Sequence, residues 1–372
     1  MILGVVTTSY PRWPGDPAGN FVAAHVAALR AHGHTVEVIA AGDPRCGGEP
    51  DVIRIPSHGL FFTGGAPDLL ERAPFSSAIG AATFSAHLAA TVARRARRWD
   101  AIIAHWLAPS ALAALPTRPP LLAIAHGGDV HTLARTKLLA PALLALRARK
   151  AELAFVSSEL RSFAMTAVPR LAAWLRTSKV QPMGIDLAHF AALPRTPTDL
   201  PTLLVAARLV PVKGVDVAIS ALDLVRHSAQ LVIAGDGPAR TALENVRMAS
   251  TARLSANRTI VRFLGQVDTA ERDRLLSAAS LVIVPSRVLP NGRSEGTPLI
   301  ALEALAAGVP VVASAVGGLR DLPIRLVPPD HPRALATEID AVLFAPPIAT
   351  DLRRAVSHLG WDRVATALIP AG

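Results

Sequence analysis

Two glutamates eight positions apart stand in the segment Ser294-Glu295-Gly296-Thr297-Pro298-Leu299-Ile300-Ala301-Leu302-Glu303-Ala304-Leu305-Ala306-Ala307-Gly308. Thr297 reads as a helix N-cap, Pro298 as the first helical residue and Gly308 as the C-terminal cap, which predicts a helix of about ten residues. The N-terminus of such a helix offers free backbone N–H groups to an anion or a hydroxyl, and the small Gly296 lets a ligand come close. Glu303 falls inside the helix among leucines and alanines, where a carboxylate is costly to bury without partners. The hydroxyls of a vicinal diol would serve; the plain alternative is a glutamate facing solvent. A second segment, Arg208 to Gly214, sets Arg208 and Lys213 five residues apart behind the apolar run Thr202 to Ala206. Two cations on a loop at a strand's carboxyl end suit a diphosphate, arginine as a planar fork and lysine as a point charge. Lys213 carries extra weight because only four lysines (137, 150, 179 and 213) occur in the chain.

Other positions carry weaker signals. His126 closes the apolar run Leu121 to Ala125, and Gly127 and Gly128 behind it would let a ligand approach the backbone. A lone histidine there is more often structural. Gly15, Gly19 and Asn20 lie between the first apolar run and the first helical segment, a generic place for a phosphate. Gly235-Asp236-Gly237-Pro238 lacks the third glycine of a dinucleotide fingerprint and reads as a tight turn. The sequence contains no Asp-x-Asp, no Gly-x-Ser-x-Gly and no Gly-x-x-x-x-Gly-Lys, so a metal-anchored diphosphate is disfavoured and no metal is expected.

Positioning these residues requires strands that end where the loops begin. Short apolar runs alternate with alanine-rich helical stretches throughout, the pattern of βαβ units in a parallel sheet. In the first half the strands are placed at Ile2 to Thr8, Thr35 to Ala40, Ala101 to Trp106, Leu121 to Ala125 and Ala154 to Ser157, with a helix at Asn20 to Ala31. In the second they fall at Thr202 to Ala206, Gln230 to Ala234, Thr259 to Leu264, Leu281 to Val284 and Val309 to Ala313. Leu193 to Pro201 holds three prolines and reads as an exposed linker, which sets domains at 1–192 and 202–356. The expected architecture is two doubly wound parallel sheets facing one another, with ligands at the carboxyl ends of the strands.

At 372 residues, 51% hydrophobic and 18% charged, the chain is too apolar to be disordered and long enough for two cores. The apolar stretches Ala101 to Pro116 and Ile300 to Val316 are broken by His105, Pro109, Glu303 and Pro310, short of the roughly 20 residues a bilayer needs. Met1-Ile2-Leu3-Gly4 has no basic region ahead of it and reads as a strand rather than a secretory signal. With a single Cys46 and no zinc spacing, the expected compartment is the reducing cytoplasm. The net charge of +10 divides unevenly, +7 before residue 190 and +3 after. Aromatic residues are 4%, too few for a stacking platform, so an anionic membrane surface or substrate ranks above nucleic acid as the partner.

Taken in order and spacing, these segments resemble the retaining glycosyltransferases of family 4, the glycosyl transferases group 1, with the GT-B fold of two facing Rossmann-like domains. The resemblance runs through the first strand and loop, His105-Trp106-Leu107-Ala108-Pro109, His126 to His131, Pro182 to Asp186, Arg208 to Gly214, Gly235 to Pro238, Phe263-Leu264-Gly265 and Glu295 to Ser314. It implies that Arg208 and Lys213 bind the diphosphate and neutralise the leaving group in place of a metal. Glu295, with the backbone of Gly296, Thr297, Pro298 and Leu299, would bind the donor sugar and phosphate, and Glu303 the ribose hydroxyls. His126 would line the sugar, Gly19 would admit the phosphates, and Gly265 and Val267 would border the base. A C-terminal helix at about 357–372 would pack back on the first domain. Departures from the family pattern are Ala18, Ala207 and Asp321, and the loop Arg287 to Arg293 is set to influence donor choice. The implied reaction moves a sugar from a UDP- or GDP-sugar to an acceptor hydroxyl of a glycan, a lipid-linked glycan or a small molecule, without a cofactor. The basic residues Arg94 to Arg98, Arg147, Arg149 and Lys150 would then rest on the inner face of an anionic membrane. A sugar-nucleotide epimerase or hydrolase and an inactive nucleotide-sugar binder remain open as alternatives, with a nucleic-acid binder third.

Overall fold

The computed structural model describes all residues except 17, 44, 45, 58, 59, 62–73, 197, 252–259, 291, 293 and 372. Pro197 of the proline-rich stretch, Thr259 of one expected strand, and Asn291 and Arg293 of the expected specificity loop therefore lie outside the described residues. The chain divides into two units, Met1–Gly184 with Trp361–Gly372, and Ile185–Gly360.

The first unit holds a seven-stranded sheet: β1 (Ile2–Thr7), β2 (Thr35–Gly42), β3 (Val52–Pro56), β4 (Ala101–His105), β5 (Leu121–Ala125), β6 (Glu152–Phe155) and β7 (Lys179–Val180). Their order is β3-β2-β1-β4-β5-β6-β7 and every pairing is parallel. The order reverses between β1 and β4, the switch point at which an open α/β sheet presents a crevice at its carboxyl edge. The Trp99 indole lies across Gly4 in the middle of β1, where an added Cβ would sit 2.1 Å from the ring, and its Nε1 donates to Glu37 on β2 at 2.9 Å.

The second unit has six strands: β8 (Thr202–Ala206), β9 (Gln230–Ala234), β10 (Ile260–Gly265), β11 (Leu281–Val284), β12 (Val311–Ser314) and β13 (Arg325–Val327). They run in the order β10-β9-β8-β11-β12-β13, again all parallel, with the switch point between β8 and β11. Alternation within each strand divides the core. Leu203, Val205, Leu231, Ile233, Leu281 and Ile283 join helix Val215–Leu222 on one face. Leu204, Val232 and Val282 join helix Leu299–Ala307 on the other. Both faces are therefore apolar, which is why these strands read as continuous hydrophobic runs instead of alternating ones. Helix Leu299–Ala307 is correspondingly apolar all round, apart from Glu303.

The unit boundary differs from the expected linker. Leu187–Ala191 forms a short helix whose Phe190 is buried with Ile185 in the core of the second unit. The proline-rich stretch behind it is tied to the same unit: Thr196 N donates to the Ser277 carbonyl at 3.0 Å, and the Arg195 guanidinium to the carbonyls of Leu276 and Ala279. Prolines stop a helix or a ladder, but they leave carbonyls and neighbouring side chains free to bind a core. At the other end, helix Trp361–Ala367 belongs with the first unit, where Trp361 covers Gly184 and stacks on His25.

Candidate functional site

The switch point of the second unit is where its charged residues converge. The loop after β8 carries Arg208, which is exposed, then a single 3-10 turn at Pro211–Lys213. Gly214 ends that turn at φ +58, and a Cβ there would lie 2.0 Å from the Pro285 carbonyl oxygen behind β11. Only glycine meets both conditions, so the turn is pressed onto β11 and aims Lys213 inward. Lys213 Nζ lies 2.8 Å from Glu295 Oε1, with both side chains mostly buried. A small cavity opens beside them, lined by Val205, Ala206, Ala207, Lys213, Val284 and Ser286. The hydroxyl of Ser286 is fully buried there and has no hydrogen-bond partner. Sequence reading passed over Ser286, since a serine after a strand carries no signal of its own.

Helix Leu299–Ala307 follows with Pro298 as its N-cap residue, at ψ 122 and without a side-chain cap. This corrects the reading of Thr297 as the cap and Pro298 as the first helical residue: the proline is still extended when the helix begins. Pro298 also lacks an N–H, so the donors of this segment are Gly296, Thr297 and Leu299. Gly308 closes the helix in the left-handed conformation, as the sequence indicates. Gly296 is held by Gly318 N, which donates to its carbonyl at 2.7 Å.

Glu303 is neither bare nor turned to solvent. Arg272 Nη1 donates to its Oε1 at 3.1 Å, from helix Thr269–Ala278. Arg272 also contacts Asp273, whose other oxygen accepts from His189 at 2.7 Å, and its guanidinium lies over the Phe190 ring. Burial raises the Glu303 carboxyl above its ordinary range, Arg272 opposes this, and the neighbouring Asp273 adds to it. Arg272 was missed from sequence because Glu271-Arg272-Asp273-Arg274 looks like the charged face of a surface helix. Gly265 ends β10 at φ +76, and the half-buried Val267 packs on the core beneath helix Leu299–Ala307. Arg287 is held between Asp216 and Asp330 at 2.7 Å from each, which fixes the start of the loop after β11.

The first unit has its own cluster at the carboxyl ends of β1, β4 and β5. Gly19 takes φ +71 at the start of helix Asn20–Ala31, and a Cβ would meet the Ser9 carbonyl oxygen at 2.3 Å, so a local constraint accounts for this glycine. His126 stands immediately after β5, stacked on His105 with ring centroids 5.2 Å apart and flanked by Phe21 and Trp106. Its backbone is held by Asp129, whose carboxylate accepts from the N–H groups of Leu107 at 2.7 Å, His126 at 3.2 Å and Gly127 at 3.0 Å. Among the basic residues of this unit, Arg94, Arg97 and Arg98 are exposed at the end of helix Pro74–Arg95 and the turn after it, and Arg95 pairs with Glu37 at 3.1 Å. Among the described residues no three histidine, cysteine or acidic side chains are grouped to hold a metal ion. None of their helices is long and apolar enough to cross a membrane.

Two doubly wound parallel sheets, each with polar residues gathered at its switch point, define a GT-B fold. Solved structures agree: sucrose-phosphate synthase from Thermosynechococcus elongatus superposes with a TM-score of 0.71 at 22% identity, over 99% of this chain and 97% of that one. The Anabaena protein HepE in complex with UDP does so at 0.71 and 19%, over 99% and 98%. Residues 200–344 match the family described as glycosyl transferases group 1. Curated relatives include the D-inositol 3-phosphate glycosyltransferase of Xylanimonas cellulosilytica, 33% identical over 51% of this chain and 49% of the relative. The glycogen synthase of Mycobacterium tuberculosis is 35% identical over 50% and 45%. The chain spans about half the length of the curated relatives it matches.

Proposed function

We propose that this chain is a retaining glycosyltransferase that moves a sugar from a nucleoside-diphosphate donor, UDP- or GDP-linked, to an acceptor hydroxyl without a metal. The observation that carries the reading is the Lys213–Glu295 pair at the β8/β11 switch point, with Lys213 lining a small cavity and Glu295 four residues ahead of helix Leu299–Ala307. Glycosyl transfer breaks the bond between the anomeric carbon and the diphosphate oxygen, joins the acceptor oxygen to that carbon, and passes the acceptor proton to the departing phosphate. Charge grows on the diphosphate as the bond lengthens, and Arg208 and Lys213 are the cations to meet it. Glu295 would anchor a sugar hydroxyl and keep Lys213 pointed inward. Glu303 would bind the ribose diol, Gly265 and Val267 would border the base, and Gly19 and His126 would serve the phosphate and sugar from the first unit. The family resemblance supports retention; the relatives named above support transfer as the reaction class.

The acceptor in this reading is a glycan or a lipid-linked glycan, with Arg94, Arg97 and Arg98 supplying contact to an anionic leaflet at the inner face of the membrane. Co-sedimentation with vesicles should then rise with the fraction of anionic lipid, and indifference to it removes the membrane contact.

The test is calorimetric titration of UDP, GDP and ADP in EDTA, on the wild type and on Lys213→Ala and Glu303→Ala, followed by donor turnover with and without acceptor sugars. One nucleotide should bind in EDTA, and each variant should weaken it at least tenfold. Binding only with added metal refutes the metal-free clamp. Turnover of the donor at the same rate with no acceptor points to the hydrolase or epimerase alternative, and binding without turnover to the inactive binder.

A further inference from the structure

Three imidazoles lie in file through the first unit. His25, on helix Asn20–Ala31, is fully buried, as is His105 at the end of β4, whereas His126 is only partly covered. Nδ1 of His25 is 3.2 Å from Nε2 of His105, and Nδ1 of His105 is 3.0 Å from Nε2 of His126. The Trp361 ring stacks on His25, with centroids 5.4 Å apart and 14° between the planes. His25 Nε2 is buried with no hydrogen-bond partner. At the opposite end His126 is only partly covered, and among the described residues no hydrogen bond engages its Nδ1.

A neutral imidazole has one N–H and one lone pair. Two N···N contacts in series therefore leave two arrangements for the whole file: every ring carries its proton on Nδ1, or every ring carries it on Nε2. In the second arrangement the last N–H belongs to His25 Nε2, where no acceptor exists. In the first, the group left over is a lone pair. A buried N–H without an acceptor is the rarer and costlier orphan. We infer that His25 and His105 act as positioning residues that hold His126 in the Nδ1–H form, so that it offers a fixed hydrogen-bond donor to an oxygen of a bound ligand.

Burial pushes His25 and His126 down to about 3 and His105 well below the usual imidazole range, and the neighbouring rings lower His105 and His126 further. Histidine in water favours the Nε2–H form, so an Nδ1–H file would be the mark of selection by the interior. The oxygen served, a sugar hydroxyl or a phosphate oxygen, rests on the transferase reading; the protonation state of His126 does not.

The experiment is two-bond 1H–15N correlation on 15N-histidine-labelled, ligand-free protein near pH 7, with resonances assigned by single-histidine substitution. His126 should show a protonated Nδ1 and an unprotonated Nε2. An Nε2–H form or an imidazolium overturns the inference, whatever the activity. Two variants isolate the relay. In His105→Asn the amide nitrogen can take the place of Nδ1–H and donate to His126, which should keep its tautomer and most of its activity. In His105→Leu the donor is gone, so His126 should revert to Nε2–H and kcat/KM should fall on the order of tenfold, the worth of one hydrogen bond. An unchanged His126 tautomer in His105→Leu refutes the positioning role. If that variant does not fold, the wild-type and His105→Asn spectra decide the question alone. Loss of the tautomer and loss of nucleotide binding are separate readouts, so a failed transferase reading leaves this one standing.

Discussion

Replacing Arg272 with leucine should destabilise the second unit, and should do so more at neutral than at acidic pH. The Arg272 and Glu303 side chains are 25% and 13% exposed. Breaking a fully buried pair by removing one partner costs about 3–5 kcal/mol, and an exposed pair is worth about 0–1 kcal/mol. Partial exposure on both sides puts the expected loss at roughly 2 kcal/mol. Glu303 has its carboxyl raised by burial, so its protonation adds stability below its unfolded value of 4.5, and that contribution is lost as pH rises through the folded value. Without Arg272 the folded value rises further, while at pH 4 the glutamate is largely protonated in both proteins. The deficit of Arg272→Leu should therefore be near 2 kcal/mol at pH 7.5 and well under half of that at pH 4, the remainder being lost packing on Phe190. In the Glu303→Gln background the pH dependence of the deficit should vanish. All five tryptophans, at 13, 99, 106, 174 and 361, lie in the first unit. Urea unfolding should then show the deficit in the circular-dichroism transition and leave the tryptophan fluorescence transition in place. An equal deficit at both pH values, or a coupling below about 0.5 kcal/mol in the double-mutant cycle, refutes the reasoning.

Three further outcomes follow from single contacts. Gly214→Ala forces a Cβ against the Pro285 carbonyl at a positive φ, so it should lower the second unit's stability by more than about 1 kcal/mol and weaken nucleotide binding by moving Lys213, read by circular dichroism and calorimetry. Asp129→Asn turns an amide NH2 toward one of three N–H donors, and should cost the first unit about 2 kcal/mol in the fluorescence-detected transition; no change would show that the carboxylate does not hold the turn. Ser157→Ala removes the hydroxyl that accepts from Leu160 N at the start of helix Ser158–Ala167, a loss of about 1 kcal/mol by the same measurement.

Much of the fold was legible because its signal is local. Helix Asn20–Ala31 and strands β5, β8, β9 and β11 fall on the residues expected from apolar runs and glycine or proline punctuation. Strands β3, β7 and β13 were not foreseen. They are edge strands of their sheets, short, and carry charged residues such as Arg54, Lys179 and Arg325, so no apolar run marks them. Trp99 and Gly4 show the same limit in another form. Neither residue names the other, and only the sheet brings the indole across the glycine.

The candidate site divides along the same line. By itself the sequence determined which residues stand on strand-end loops: Arg208, Lys213, Glu295 and His126 each follow an apolar run, and loop chemistry is written in consecutive positions. The tertiary structure alone decided what those residues touch. Arg272 reaches Glu303 from 31 positions away, and His25 reaches His126 only through His105, with Trp361 stacked on His25 from near the C-terminus. Ionisation state and tautomer depend on burial and on partners a few ångströms distant in space. Those partners are set by how the sheet and helices pack, a property that no single segment of the sequence carries.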